Sequence, residues 1–339
     1  MIHYYGYRVE VVRNGARYTD LEFVDKPTID ADMNAAVKVS FAATFRYDPL
    51  VDYLSDRMRL YLNVDGQEEP LGEFVVATTK RLTTDTGGDR IRIEAYDLGH
   101  LLQSAKLEEP LYFSGNTNYL EPVKTLLLRA GLVLMVETPT EEKLIINREW
   151  GIGTSYLKII NELLEEIGYS QLWFNARGFA ILAPAQDPIA ANITHRYGPE
   201  LIPVKLAAER EVDAWDAPNV FVLICDNPEL DAPIVARAEN NNPVSALSIL
   251  RRGRRIVQIV KVKATPSQRV LQEMADRMVQ ESILRTEVAT VATPPEAGHG
   301  IGDVVSVDHP LCSGIWRETG WNITPRGGMT HTLQRMILV

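Results

Sequence analysis

Between Tyr5 and Ala95 apolar residues recur at every second position, and the runs are broken by Asn-Gly and Asp-Gly pairs, a combination that few folds satisfy. Tyr5, Tyr7, Val9 and Val11 alternate up to Asn14-Gly15, which favours a type I′ hairpin because both central residues need a positive φ. Val37, Val39, Phe41, Ala43 and Phe45 alternate next, which turns Lys38, Ser40, Thr44 and Arg46 to the opposite face. Leu60, Leu62 and Val64 lead into Asp65-Gly66, and after the turn residues from Thr84 to Gly88 the pattern returns as Ile91, Ile93 and Ala95. These runs predict a small antiparallel barrel or sandwich.

The period changes after Asp97. Leu98, Leu101 and Leu102 mark a short helical turn that leads out of the first domain, placed at residues 1–104. From Tyr119 to Ala130 the spacing of Leu120, Val123, Leu126 and Leu127 predicts a helix, capped by Asn118 and ended by Gly131. A second helix is expected over Ser155 to Ile167, with Thr154 as N-cap and Gly168 just past its end. Strands follow over Gln171–Phe174 and Phe179–Ala183, joined by a turn at Asn175-Ala-Arg-Gly178. Residues 105–188 thus read as a small α/β module.

Beyond the Pro-containing stretch from Pro184 to Pro188, β patterning returns in a third domain, 189–339. Val220 to Cys225 is a continuous apolar strand, Ile234 to Ala236 precede Asn240-Asn-Asn-Pro243, and Ile256, Ile259 and Val262 extend the β reading. One helix of about 266–284 interrupts it, opened by Thr265-Pro-Ser-Gln268, a capping box with Pro at the first helical position. Strands resume at Asp303–Val307 and Thr330–Val339.

At 339 residues the chain exceeds what one core organises, so two or three domains are expected. A net charge of -10 argues against specific nucleic-acid binding, which needs clustered Lys and Arg. Two cysteines, Cys225 and Cys312, are too few for a disulfide framework, and Cys225 is expected to be buried. No leader-like or bilayer-length apolar stretch is seen, so no membrane insertion and cytoplasmic synthesis are expected.

Four constellations invite a chemical reading. His309-Pro-Leu-Cys312, with His299 nearby, has a chelating spacing but no evident fourth ligand, and reads better as a Pro- and Gly-rich turn with a buried thiol. The remaining histidines, His3, His100, His195 and His331, are scattered, which predicts no further cluster. Gly298-His-Gly300-Ile-Gly302 lacks the preceding strand and following helix of a phosphate cradle and reads as a turn into Asp303-Val304. Arg251-Arg252-Gly253-Arg254-Arg255 reads as a solvated loop or half of an intersubunit salt contact. Carboxylates at Glu141-Glu142, Glu165-Glu166 and Asp85/Asp89 are not placed by sequence at glycosidase separation. No nucleophile elbow, zinc-protease helix or Walker loop occurs, so no catalytic, cofactor-binding or metal residues are assigned and no enzyme is expected.

Several stretches, in this order, resemble the hub proteins of contractile tails, the late-control-D-like family of phages and phage-derived bacteriocins. They are Ile91-Arg-Ile-Glu-Ala-Tyr-Asp97-Leu, Gly115-Asn-Thr-Asn-Tyr-Leu, Trp150-Gly-Ile-Gly-Thr-Ser155 followed by Ile159 to Tyr169, and Trp173-Phe-Asn-Ala-Arg-Gly178. Then come Ala217-Pro-Asn-Val-Phe-Val222, Asn240-Asn-Asn-Pro243, Arg252-Gly-Arg-Arg255, Gly302-Asp303-Val-Val and Gly320 through Met329 to Leu333. The resemblance implies a mainly β protein in which two tail-tube-like antiparallel β-barrels flank the α/β module. It also implies a homotrimeric baseplate hub that adapts a hexameric tail tube protein to a trimeric central spike protein, beside other baseplate or tape-measure proteins in a virion tail or tail-like particle. An acidic bore would let DNA pass without being held. The readings of another class are a tail-associated peptidoglycan hydrolase, for which the chain has no residues left to build a separate catalytic module, and a carbohydrate-binding adhesin. An adhesin needs exposed aromatic platforms, whereas Trp150, Trp173, Trp215, Trp316 and Trp321 mostly sit beside strand or turn signals where packing is expected.

Overall fold

The computed structural model describes residues 4–84, 87–144, 146–199, 205–212, 215–225, 233–262, 268–282, 284–325 and 328–338. The chain forms two compact units, one of Met1–Ala208 with Thr290–Leu333 and one of Glu209–Ala289 with Gln334–Val339. Strands dominate both, as the alternation predicts.

The first unit opens with β1 (Tyr5–Arg13), β2 (Ala16–Leu21), β3 (Thr28–Asp32), β4 (Val39–Arg46), β5 (Arg57–Val64), β6 (Gln67–Thr84) and β7 (Gly87–Asp97). Asn14-Gly15 and Asp65-Gly66 all have positive φ, so both hairpins turn as the residue types require. Antiparallel pairing runs β2-β1-β5-β6-β7-β4. The path returns on itself where Phe23 bridges Phe45, with Val24 N–H donating to Thr44 O at 2.8 Å and Arg46 N–H to Glu22 O at 2.9 Å. Inside the ring lie Phe41, Phe45, Met58, Leu60, Leu62, Phe74, Ile91 and Ile93, all fully or nearly fully buried. Phe41 and Phe74 meet at 5.3 Å between ring centroids and Phe23 and Phe45 at 4.7 Å.

One residue of β4's flank departs from the alternation. Lys38, expected on the outer face, is buried, and its Nζ donates to Met33 O at 2.6 Å, Ala35 O at 2.8 Å and Gln171 Oε1 at 2.6 Å. Three acceptors complete the donor valence of an ammonium, which offsets its desolvation. Burial still holds its pKa below the usual lysine range.

The middle segment has its own core. It comprises α1 (Gly99–Ser104), β8 (Leu111–Phe113), α2 (Leu120–Arg129), β9 (Met135–Glu137), β10 (Arg148–Trp150), α3 (Tyr156–Glu166), β11 (Trp173–Phe174) and β12 (Ala180–Leu182). Leu126 and Leu127 of α2 and Ile160, Leu163 and Leu164 of α3 are fully buried in it, the stripe that the helical spacing predicts. Asn118 Oδ1 accepts from Leu120 N–H at 2.9 Å, and Gly131 and Gly168 end the helices with positive φ. The cap of α3 is Ser155, whose side chain accepts from Lys158 N–H, in place of the expected Thr154. Thr154 is engaged one step earlier, its hydroxyl donating to Gly151 O at 2.8 Å. The parallel pairing of β9 with β12 had no signature in the sequence, because β9 is only three residues long.

After β13 (Ile193–Tyr197) and β14 (Lys205–Val212), the chain forms in the second unit β15 (Val220–Cys225), β16 (Ile234–Glu239), α4 (Ile249–Arg252), β17 (Val257–Val262) and α5 (Gln268–Ser282). β15 is central, with β16 antiparallel and β17 parallel to it. Leu271, Ala275 and Val279 of α5 pack on Phe221, Leu223, Cys225, Ala236 and Ala238, one face of that sheet. The capping residues Thr265, Pro266 and Ser267 lie outside the described residues, and Gln268 is the first described residue of the helix. β18 (Leu284–Thr293) and β21 (Met329–Leu338) have residues in both units, and β19 (Val304–Val307) and β20 (Gly314–Ile323) belong to the first. β20 pairs antiparallel with β3, Ile323 facing Ile29, so Trp321 and Ile323 enter the core of the first strands. β19 pairs β20 antiparallel and β13 parallel.

Candidate functional site

Alternation along β20 and β21 puts two polar residues where apolar ones are expected. Trp316 and Glu318 share the inner face of β20, and His331 lies between the fully buried Met329 and Leu333 of β21. β13 brings His195 and Tyr197 opposite β19, and the segment from Pro294 to Asp303 supplies Glu296, His299 and Asp303. Gly300 in that segment lies against Trp173, where a Cβ would stand 2.8 Å from the indole, so a side chain there would push the segment away.

These groups form an alternating chain of carboxylates and imidazoles within the first unit. Asp303 Oδ2 lies 3.5 Å from His195 Nε2, and His195 Nδ1 lies 3.6 Å from Glu296 Oε1. Glu296 Oε2 lies 3.7 Å from His299 Nε2, while His299 Nδ1 meets Glu318 Oε2 at 2.5 Å. The second oxygen of Glu318 meets His331 Nδ1 at 2.5 Å, and His331 Nε2 is 2.7 Å from Thr293 Oγ1. Tyr197 Oη stands 2.8 Å from His299 Nε2 and 3.1 Å from Glu296 Oε2. The rings of His195 and His299 stack at 3.9 Å, 11° from parallel.

The electrostatics follow from burial and neighbours. Burial works against a charged His195, but Asp303 and Glu296 outweigh it and hold its pKa up at about 10. Burial likewise opposes charge on His299, yet Glu318 and Glu296 raise its pKa. Burial pushes Glu296 and Glu318 up, and their histidine partners bring both below the usual carboxylate range. Burial and the surrounding carboxylates raise Tyr197.

A cleft of about 850 Å³ opens over one end of this chain, lined by Tyr5, Glu69, Trp173 and Arg177 and floored by Glu296 and His299. Thr293, His331 and Glu318 have the connectivity of a nucleophile, a base and an orienting carboxylate, but Thr293 is fully buried and does not line the cleft. Its hydroxyl is also within donating distance of Pro294 O, at 2.9 Å.

The constellations singled out by sequence fare differently. His195 and His331, read as scattered, meet His299, because β13 and β21 converge on the segment that carries it. His309 and Cys312 stay apart from this cluster; Leu311 N–H donates to His309 Nδ1 at 3.3 Å and the buried Cys312 Sγ lies 3.9 Å from that nitrogen, the geometry of a local turn. Gly298 and Gly302 have positive φ and a strand follows, as a turn requires. The basic run is largely spent within the second unit. Arg252 donates to Ala217 O at 2.9 Å, Arg254 donates to Trp215 O at 2.8 Å and stacks on the Trp215 ring at 4.3 Å, and Arg255 pairs with Glu239. Of the five tryptophans Trp150, Trp316 and Trp321 are buried, whereas Trp215 is 72% exposed.

The second unit presents a different kind of surface. The face of its sheet opposite α5 carries Val222 and Ile224, flanked in register by Ile259 and Val235. Val235, Val257 and Ile259 are each about half exposed or more. At the β16 edge, two strand carbonyls are covered, since Gln268 Nε2 donates to Val235 O and Gln272 Nε2 to Arg237 O, both at 2.9 Å. Among the described residues no strand lies beyond β17.

No protein-family model and no curated protein sequence matches this chain. Solved structures match over nearly its whole length. A tail protein from Neisseria meningitidis superposes with a TM-score of 0.64 at 14% identity, covering 98% of this chain and 97% of that one. The 43 kDa tail protein of prophage MuSo2 from Shewanella oneidensis does so with a TM-score of 0.64 at 12% identity, covering 98% of each chain. The chain has the fold of phage tail proteins. An Escherichia coli component of the type VI secretion system, reported as similar to the bacteriophage T4 tail proteins gp27 and gp5, superposes with a TM-score of 0.53 at 10% identity, covering 98% of this chain and 76% of that one. The match to these tail proteins therefore runs from the first strands through the middle segment to the final strands. No helix among the described residues of this tail-protein fold is long and apolar enough to cross a membrane.

Proposed function

We propose that the protein is a structural component of a contractile tail or tail-like particle, the homotrimeric baseplate hub that joins a hexameric tail tube to a trimeric central spike. The observation that carries this reading is the end-to-end match, 98% of the chain, to tail proteins of its own length. In this role residues 1–104 and 189–339 each supply a tube-like barrel, 105–188 is the inserted module, and the partners are the tube, the spike and other baseplate or tape-measure proteins. The protein acts in the tail or baseplate after synthesis in the host cytoplasm, it catalyses nothing, and its acidic composition lets DNA pass through the bore without being held.

The open sheet of the second unit supports the assembly part of this reading. An edge strand with Val257 and Ile259 exposed is a template for strand addition, and a neighbouring subunit is the partner that a closed ring places there. Light scattering across a concentration range, with and without a candidate spike protein, tests it. Three times the 38.0 kDa subunit mass, alone or with the spike, is the expected result. A chain that stays monomeric with the spike present, or that clears peptidoglycan, overturns it.

A further inference from the structure

Among the described residues the cluster beneath the cleft draws its positive charge from nothing but its histidines. Glu296, Asp303 and Glu318 are three carboxylates in partly to fully buried positions, and among the described residues every ion-pair partner they have is a histidine. A neutral imidazole offers no positive charge. Either protons on the histidines or a bound cation must therefore balance the site.

We infer that His299 Nε2, His195 Nδ1 and the Glu296 carboxylate form a binding site for a divalent transition metal of the zinc type, open on its cleft side. Ligand atoms at zinc bond lengths of about 2.0–2.1 Å in a tetrahedron are separated by about 3.3–3.4 Å. Here Glu296 Oε1 lies 3.6 Å from His195 Nδ1 and Glu296 Oε2 lies 3.7 Å from His299 Nε2, so the carboxylate faces both nitrogens, one oxygen to each, at slightly more than the separation of ligand atoms around one ion. The stacked imidazoles must splay from their near-parallel arrangement for both lone pairs to converge on one ion. Glu296 is about one-third exposed and His195 is not fully buried, so both have room to adjust around the more rigid His299.

The surroundings are those of a metal site as well. With Glu318 as acceptor at 2.5 Å, His299 carries a proton on Nδ1, and a metal would take Nε2 from its present hydrogen-bond partner, the Tyr197 hydroxyl at 2.8 Å. Asp303 stands at the far nitrogen of His195 in the same relation. His331 in turn anchors the second oxygen of Glu318, and Tyr197 Oη, 2.8 Å from His299 Nε2 and 3.1 Å from Glu296 Oε2, is placed as a further donor or as a hydrogen-bond partner of the bound carboxylate. Nitrogen and carboxylate donors in this ratio select zinc, cobalt or nickel over calcium, which takes six to eight oxygens. Bound there, the ion ties β13 to the segment between β18 and β19.

The test uses full-length protein without a polyhistidine tag, stripped of metal and titrated with Co²⁺. One equivalent producing the visible absorption of a low-symmetry cobalt site, displaced by Zn²⁺ and accompanied by a rise in Tm, is the expected result. Glu296→Gln and His195→Gln should each weaken binding at least tenfold with an unchanged far-ultraviolet spectrum, and Asp303→Asn should weaken it about 10–100-fold. His309→Ala with Cys312→Ser should leave binding unchanged. Absence of the absorption band and of a Tm shift at millimolar Co²⁺ and Zn²⁺ overturns the site and leaves protons as the balancing charge. Binding that survives Glu296→Gln, or that is lost with His309 and Cys312, places the metal elsewhere and overturns it equally.

Discussion

The first strands of the chain and the three-stranded sheet of the second unit solve the same problem in opposite ways. β2-β1-β5-β6-β7-β4 close through Phe23 and Phe45, so each strand of the ring has a partner on both sides over part of its length. Among the described residues β16-β15-β17 does not close; α5 covers one face and two carbonyls of the β16 edge, and apolar side chains remain on the other face. Closure removes the hazard of unpaired strand edges, whereas an open edge keeps a chain available to a partner. A hub subunit of the kind proposed needs both, a part that holds its shape alone and a part completed by contact.

If the ring is self-sufficient, damage to its interior should act on folding and not on association. Phe74, with no exposed surface, packs on Phe41, and Phe74→Ala should cost about 3–5 kcal/mol in urea unfolding. A loss under 1 kcal/mol would mean that the interior is not tightly packed.

At the exit from the ring, Asp97 sharpens the same contrast through pH. Its carboxylate accepts from Val39 N–H and Gly99 N–H, both at 2.8 Å, yet burial dominates and raises its pKa from 3.8 to about 6. Between those values the folded chain keeps a proton that the unfolded chain has released, so stability falls as pH rises from about 4 to about 6, by about 3 kcal/mol, and stays lower above. Asp97→Asn removes an acceptor and lowers stability overall, but the difference in slope between variant and parent isolates this group. Parallel slopes from pH 4 to 6 would refute the assignment.

The smallest effect on stability is expected where the comparison matters most. Ile259→Glu, at a position 63% exposed, should change unfolding of the isolated chain by no more than about 0.5 kcal/mol while abolishing self-association. Association that persists would remove the open sheet as the contact surface.

Much of the fold was legible because its signals are local. Alternation around Asn14-Gly15 and Asp65-Gly66 specified two hairpins, and Gly131 and Gly168 specified helix ends, since each depends on φ and on side chains a few positions away. The same locality misled at Lys38, whose alternation pointed outward and whose burial rests on Gln171, and at Ser155, where two hydroxyls compete for adjacent roles. The polar cluster was less legible. Its one signal was Met329-Thr-His331-Thr-Leu333, which sets a histidine at an inward position between core residues.

What the sequence determined by itself was therefore the mainly β class, the hairpins, the helices and their order along the chain, all settled by backbone preference and by the periods of two and 3.6. Only the tertiary structure decided that His195, Glu296, His299, Glu318 and His331 meet, and that β17 runs parallel to β15 with Val257 and Ile259 left outside. The reason is register. A slip of one residue in β20 or β21 would carry Glu318 or His331 to the outer face, and the pairing that sets this register is made between strands far apart in the chain.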